Sequence, residues 1–221
     1  MTVVTGSRSM RFADAADHDE PLIRLMHAIA KGSPSARSAI DDAPDLCRSP
    51  LIEGASATSS VKWFLPRIAH YINAGDTALH VAAAAYNLVI ARLLIKRGAA
   101  VSACNRLGAQ PLHYACDGGP DLLSWDPTAQ AAMIGLLIAS GADPDAADKR
   151  GVTGLHRAVR TRCTGAVRSL LVHGADPRLR NGSGSTPLAL ATSTTGRGGS
   201  GSANAKREQR KIVDLLREYG T

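Results

Sequence analysis

Four stretches of the chain share one pattern of apolar positions. Ile90, Leu93 and Leu94 recur as Met133, Leu136 and Leu137, then as Val167, Leu170 and Leu171, then as Ile212, Leu215 and Leu216. The three-to-four spacing within each set is that of a helix burying one stripe. A glycine ends each stretch (Gly98, Gly141, Gly174 and Gly220), as expected of a left-handed residue that stops a helix. A second, shorter helix precedes each of these. It starts in "TALHVA" at Thr77, "QPLHYA" at Gln110, "TGLHRA" at Thr153 and "TPLALA" at Thr186, at steps of 33, 43 and 33 residues. The threonines are suited to cap the free amides of a helix start, and Pro111 and Pro187 fall at the first helical position, where no donor is lost. Between pairs, Asn105, Asp148 and Asn181 each lie seven residues after the closing glycine, with Gly108, Gly151 and Gly184 three further on, which predicts a projecting turn.

A fixed period of this length is the mark of stacked units, none of which buries its own apolar face alone. The T-P-L-H-x-A motif, with its histidine at His80, His113 and His156 and Ala189 in its place in the fourth unit, resembles the ankyrin repeat. Gln110 for threonine and Gly154 for proline are further departures. The resemblance covers residues 75 to 221 and implies an all-α ankyrin repeat solenoid, helix-turn-helix repeats joined by β-turn fingers. It divides into repeats at 75–107, 108–150, 151–183 and 184–221. Upstream, Leu22, Met26 and Ile29 mark an amphipathic stretch followed by a second short helix after Gly32; residues 20–74 are expected to form a capping repeat plus an inserted helix, and residues 1–19 a disordered tail. That inserted helix is read from Val61, Phe64, Leu65, Ile68 and Ile72, with Pro66 kinking or splitting it. It serves either to pack the cap or to line a binding groove.

Two insertions break the period. Asp117 to Gln130 lengthens the second repeat; Trp125 in it either contacts a partner or, the favoured reading, folds back over apolar surface. The other, "TTGRGGSGSANAK" at Thr194 to Lys206, contains G-x-G-x-x-G. A dinucleotide fingerprint needs a preceding strand and a parallel sheet, and here the flanks read as helices, so the run is a flexible insertion. A weaker alternative is anion binding by its amides with Arg197 and Lys206.

Charge sharpens the question of partner. Of 26 basic and 19 acidic residues, 14 basic and only 4 acidic ones lie in residues 149–221. Such asymmetry favours an acidic partner. No stretch reaches the length of a membrane span, and the N-terminus lacks a secretory h-region, so a cytoplasmic protein without a membrane partner is expected. Four cysteines without a C-x-x-C pair suggest reduced thiols rather than disulfides or zinc. The histidines recur with the repeat and so serve the repeat, and no nucleophile or carboxylate pair falls into register with them. No catalytic residue, metal or cofactor is expected.

In ankyrin repeats the resemblance implies partner contacts on the turns and the exposed face of the first helix. Here those positions hold Arg106, Lys149, Arg150, Arg178 and Arg180 on turns, and Tyr86, Tyr114, Arg157, Arg160 and Arg162 on first helices or their ends. Trp63, Phe64, Trp125 and Arg197 are secondary candidates. The expected function is a protein-protein interaction module that grips an acidic partner with its concave face and turn tips, guanidinium groups taking carboxylates in bidentate fashion. Nucleic-acid or polyanion binding by the basic last third is the alternative.

Overall fold

The computed structural model describes residues 12–56, 59–119, 125–193 and 203–220. Helices pair along the chain: α1 (Phe12–Lys31) with α2 (Ser35–Asp42), α3 (Ala78–Ala84) with α4 (Leu88–Lys96), α5 (Pro111–Ala115) with α6 (Pro127–Ala139), α7 (Gly154–Arg160) with α8 (Thr164–Val172), and α9 (Pro187–Thr192) with α10 (Ala203–Tyr219). First helices stack on first helices in the order α1, α3, α5, α7, α9, and second helices on second helices from α2 to α10, so two parallel rows enclose one elongated core. The expected stripes face it: Ile90, Leu94, Met133, Leu137, Val167, Leu170, Leu171, Ile212, Leu215 and Leu216 are all buried.

Local chemistry sets each unit. Thr77, Gln110, Thr153 and Thr186 are the N-caps of α3, α5, α7 and α9. In the first three units the histidine completes a capping box: its Nδ1 accepts the backbone N–H of the capping residue, at 3.0 Å for His80, 3.0 Å for His113 and 3.3 Å for His156. An Nδ1 that accepts leaves the ring proton on Nε2, which then donates to a carbonyl of the next turn: Ala109 at 3.1 Å, Val152 at 3.0 Å and Ser185 at 3.0 Å. Each histidine therefore ties one repeat to its successor. Loss of water on burial holds all three imidazoles below their usual range, His113 down to about 4.

The turns form a second tie. Asn105, Asp148 and Asn181 each accept two backbone amides on one side-chain oxygen, from residues two and four further on, at 2.9–3.1 Å. Successive turns are then joined edge to edge by Arg106 N–H to Ala74 O, Lys149 N–H to Leu107 O and Gly182 N–H to Arg150 O, at 2.7, 3.0 and 2.8 Å. Gly98, Gly141 and Gly174 close their helices with φ between +90° and +99°. Gly220, expected to do the same, has no positive φ, so the last helix ends without that motif.

Two further expectations are corrected upstream. Helix α1 begins at Phe12, inside the stretch read as a tail, and Asp19 is 1% exposed because its carboxylate accepts the Ile52 and Glu53 amides at 2.8–3.0 Å. Residues 59–75 do not form a helix. A 3-10 turn (Val61–Trp63) leads into β1 (Phe64–Leu65), a second 3-10 turn (Pro66–Ile68) and β2 (His70–Tyr71), with Phe64 paired to Tyr71 and Leu65 to His70. Pro66 stops helical propagation and Ala69, at φ +49°, reverses the chain, so Leu65 and Ile72 are buried while Val61 is 87% exposed. Residues 51–55 run antiparallel to 72–76 through Ala55 N–H to Ile72 O, Gly75 N–H to Leu51 O and Leu51 N–H to Asp76 O. A side chain at Gly54 would overlap the Ala74 amide, which explains the glycine there. The G-x-G-x-x-G run at 196–201, with Arg197, lies outside the described residues; α9 and α10 flank it, and β1 and β2 are the only strands among the described residues.

Candidate partner-binding face

Tyr114, on the inner helix α5, was expected at the surface but is 2% exposed. Its hydroxyl donates to Asp76 Oδ2 at 2.6 Å and accepts from Asn73 Nδ2 at 3.2 Å and Asn105 Nδ2 at 3.1 Å. Asp76, fully buried, also accepts from Asn105 Nδ2 at 2.8 Å and from the Asn73 amide at 2.6 Å, so this carboxylate is solvated by the protein's own donors. The β1–β2 hairpin covers this site: the His70 ring stands edge-on to Tyr114 at 4.1 Å. Loss of water pushes the His70 pKa down, opposed by Asp117 and Asp76.

Arg157, Arg160 and Arg162 do not make the single basic groove expected of them. Arg157 is bridged to Asp117 at 2.6 Å and Asp148 at 3.1 Å, and its side chain is only 12% exposed. Burial opposes its charge, but the two carboxylates outweigh that loss and hold the guanidinium protonated. The triad pins the end of α5 to the following turn and to α7. Arg162 is buried as well, at 9% exposure. It occupies the same register as Tyr86. Both are left-handed (φ +60° and +51°), and both close a first helix, Cys163 N–H reaching Ala158 O and Asn87 N–H reaching Ala82 O. That conformation turns Arg162 inward and leaves Tyr86 half-buried, with its phenol pKa raised by burial. Arg160 alone of the three is exposed and makes no ion pair among the described residues.

The aromatic candidates are also largely absorbed. Trp63 is 4% exposed with Lys62 Nζ 4.7 Å from its ring centre, and Phe64 packs on Tyr71 at 4.8 Å. Trp125 folds back, half-buried, and donates to Gln130 Oε1 at 2.8 Å just before the Asp126 cap of α6. Cys116 and Cys163 are buried thiols whose pKa burial raises, the latter to about 11. No cluster of three metal-ligating side chains occurs among the described residues.

The turn tips remain. Arg106 is exposed, but its guanidinium donates to Ala55 O at 2.7 Å and Asn73 Oδ1 at 3.3 Å, fastening the upstream segment. Arg178 pairs with Asp176 at 3.0 Å. Lys149, Arg150 and Arg180 are exposed and face no carboxylate within 4.0 Å among the described residues, although Arg180 donates to Gly184 O at 2.7 Å. Asp148, their acidic neighbour, is occupied; against the cost of burial, the Val152 and Arg150 amides and Arg157 hold its pKa down. Sequence reasoning missed the contact of His70 with Tyr114 and the buried Asp76. Its place directly before the capping Thr77 is the signal that could have found it.

Two family models, both described as ankyrin repeats, match residues 25–125 and 137–191. Ankyrin repeat and SOCS box protein 16 from Mus musculus is 38% identical over 114 residues, 51% of this chain and 24% of that protein. B-cell lymphoma 3 protein from Homo sapiens is 34% identical over 106 residues, 48% of this chain and 22% of that protein. Protein phosphatase 1 regulatory subunit 27 from Mus musculus is 40% identical over 78 residues, 35% of this chain and 44% of that protein. The chain thus spans less than half the length of these relatives. Ankyrin repeats generally mediate protein-protein interaction, and their carriers are typically non-enzymatic binding or regulatory proteins. No helix among the described residues is long and apolar enough to cross a membrane. With two rows of stacked helices, histidine ties between units and edge-joined turns carried by these matching segments, the chain belongs to the ankyrin repeat family.

Proposed function

We propose that the chain binds an acidic segment of a partner protein along its turn edge, chiefly through Lys149, Arg150 and Arg180. The supporting observation is that these cations are exposed and unmatched by carboxylates among the described residues, while neighbouring Asp148 and Asp176 are already engaged with Arg157 and Arg178. Opposite charge on a partner steers encounter and fixes register even where each rim pair adds little affinity.

A triple variant, Lys149→Glu, Arg150→Glu and Arg180→Glu, tests this. Its binding to a dye-labelled oligoglutamate peptide, read by fluorescence anisotropy, should weaken by about tenfold or more relative to the parent protein at low salt, as reversal of three rim charges predicts. Unchanged affinity would remove the acidic-segment reading. Tighter binding of a single-stranded oligonucleotide than of the peptide, lost in the same variant and falling steeply with salt, would replace it with the polyanion reading.

A further inference from the structure

The hairpin that interrupts the repeat pattern does more than cover Tyr114. Together with Ala55, Ser56, Ser60 and the turn at Asn105–Ala109 it lines an open cavity of about 370 Å³. This lies toward the lower end of the roughly 300–1,000 Å³ of pockets that take ligands, and gives room for one bulky side chain. Its rim carries two apolar side chains left in water, Tyr71 at 45% and Leu107 at 43% exposure. The His70 and Tyr114 rings line it deeper in, locked edge-to-face at 4.1 Å. Arg106 and Arg157 complete the wall, the first held by Ala55 O and Asn73 Oδ1, the second by Asp117 and Asp148, so both guanidinium groups are placed before any ligand arrives.

The exposed Tyr71 ring, the half-buried His70 ring and the fixed Arg106 guanidinium, backed by Tyr114 and Arg157, form a lining that suits an aromatic guest, through ring-ring contact and cation-π attraction. Its surroundings suit acidic flanks. The Lys149 amide is bonded to the Leu107 carbonyl at 3.0 Å, so the unmatched Lys149 and Arg150 are the next turn along from the rim. A second cavity, about 300 Å³, shares His70 and Tyr114 and adds Lys31, Arg67, Tyr86, Asp117 and Trp125, but includes no residue of the Asn105–Ala109 turn that is bonded to Lys149. Resting on the acidic-segment reading above, we propose that the 370 Å³ cavity is an anchor pocket for one aromatic side chain of that segment, with the carboxylates that flank it on the side of the next turn meeting Lys149 and Arg150.

Two dye-labelled nonapeptides test this on the full chain: eight glutamates around a central tryptophan, and the same with central alanine. By anisotropy the tryptophan peptide should bind about tenfold tighter, the scale of a single buried aromatic anchor. The double variant Tyr71→Ser and Leu107→Ser, checked for an unchanged urea midpoint, should abolish that preference and leave the alanine peptide's affinity as it was. The Lys149→Glu, Arg150→Glu, Arg180→Glu variant should weaken both peptides equally. Equal affinity of the parent protein for the two peptides, or a preference that survives in the rim variant, overturns the anchor pocket. If the charge variant still weakens binding in that case, the acidic-segment reading stands. Binding of both peptides that ignores the charge variant overturns that reading as well.

Discussion

His113 provides a sharp quantitative test of how the repeats are joined. Its Nδ1 accepts the Gln110 amide and its Nε2–H donates to Val152 O, so both nitrogens are committed in the neutral ring. A second proton would have to sit on Nδ1, facing the donor it now accepts from. Burial, aided by the nearby Arg157 charge, accordingly pushes the pKa down to about 4. The unfolded chain takes up its proton near pH 6.5 and the folded one only near 4, so the unfolded state binds more protons across that window. Stability from this residue is therefore full above pH 6.5 and is lost progressively as the pH falls. At pH 5 the unfolded form is favoured by protonation about thirtyfold more than the folded form, which is about 2 kcal/mol from this one histidine. Urea unfolding at pH 7.5 and pH 5, for the parent and for His113→Gln, isolates the effect because His80 and His156 titrate in both. The variant should start less stable but lose about 2 kcal/mol less between the two pH values. Equal losses would refute the assigned proton positions.

Three other substitutions probe the contacts that replaced sequence expectations. Arg157→Ala leaves Asp117 and Asp148 unpaired in a partly buried site and should cost about 3 kcal/mol in urea unfolding, since breaking a buried ion pair typically costs about 3–5 kcal/mol; a change below about 1 kcal/mol would mean that the triad is not formed. Tyr114→Phe removes a donor to a fully buried carboxylate and should cost about 2 kcal/mol, with the circular dichroism of the helices preserved. Val61→Ser should lie within about 0.5 kcal/mol of the parent protein, whereas Ile72→Ala should cost about 2–5 kcal/mol; comparable losses at both positions would restore the helical stripe that the hairpin displaced.

How much of this was legible beforehand depends on whether the signal was periodic. The capping residues, the glycines of the first three units and the Asn105, Asp148 and Asn181 turns recur, and each recurrence checks the others, so one sequence sufficed for the fold. The hairpin occurs once. Its apolar residues fall at helical spacing, and only the conjunction of Pro66 with a left-handed Ala69, which no residue preference announces, decides against a helix. The candidate site fared worse because exposure is a tertiary property. Arg157 finds Asp117 forty positions away across a helix boundary, and Tyr114 is hidden by a segment from another unit. Arg162 and Tyr86 share a register whose left-handed backbone turns them partly off the surface, a geometry that glycine or asparagine would have hinted at and arginine conceals. Lys149, Arg150, Arg178 and Arg180 remained accessible because turn tips have no neighbour above them.

The edge-to-edge bonding of the turns also divides the molecule's tolerance for change. On that side, each peptide amide measures out the position of the next unit, so the spacing between tips is that of a ruler whose graduations are drawn by the main chain. The ten additional residues of the second repeat enter on the far side, between α5 and α6, and leave the graduations untouched. New loops, tags or whole binding segments grafted at that far margin should therefore be accommodated without altering the pitch, whereas one residue inserted beside Asn105 or Asp148 would throw every later unit out of step.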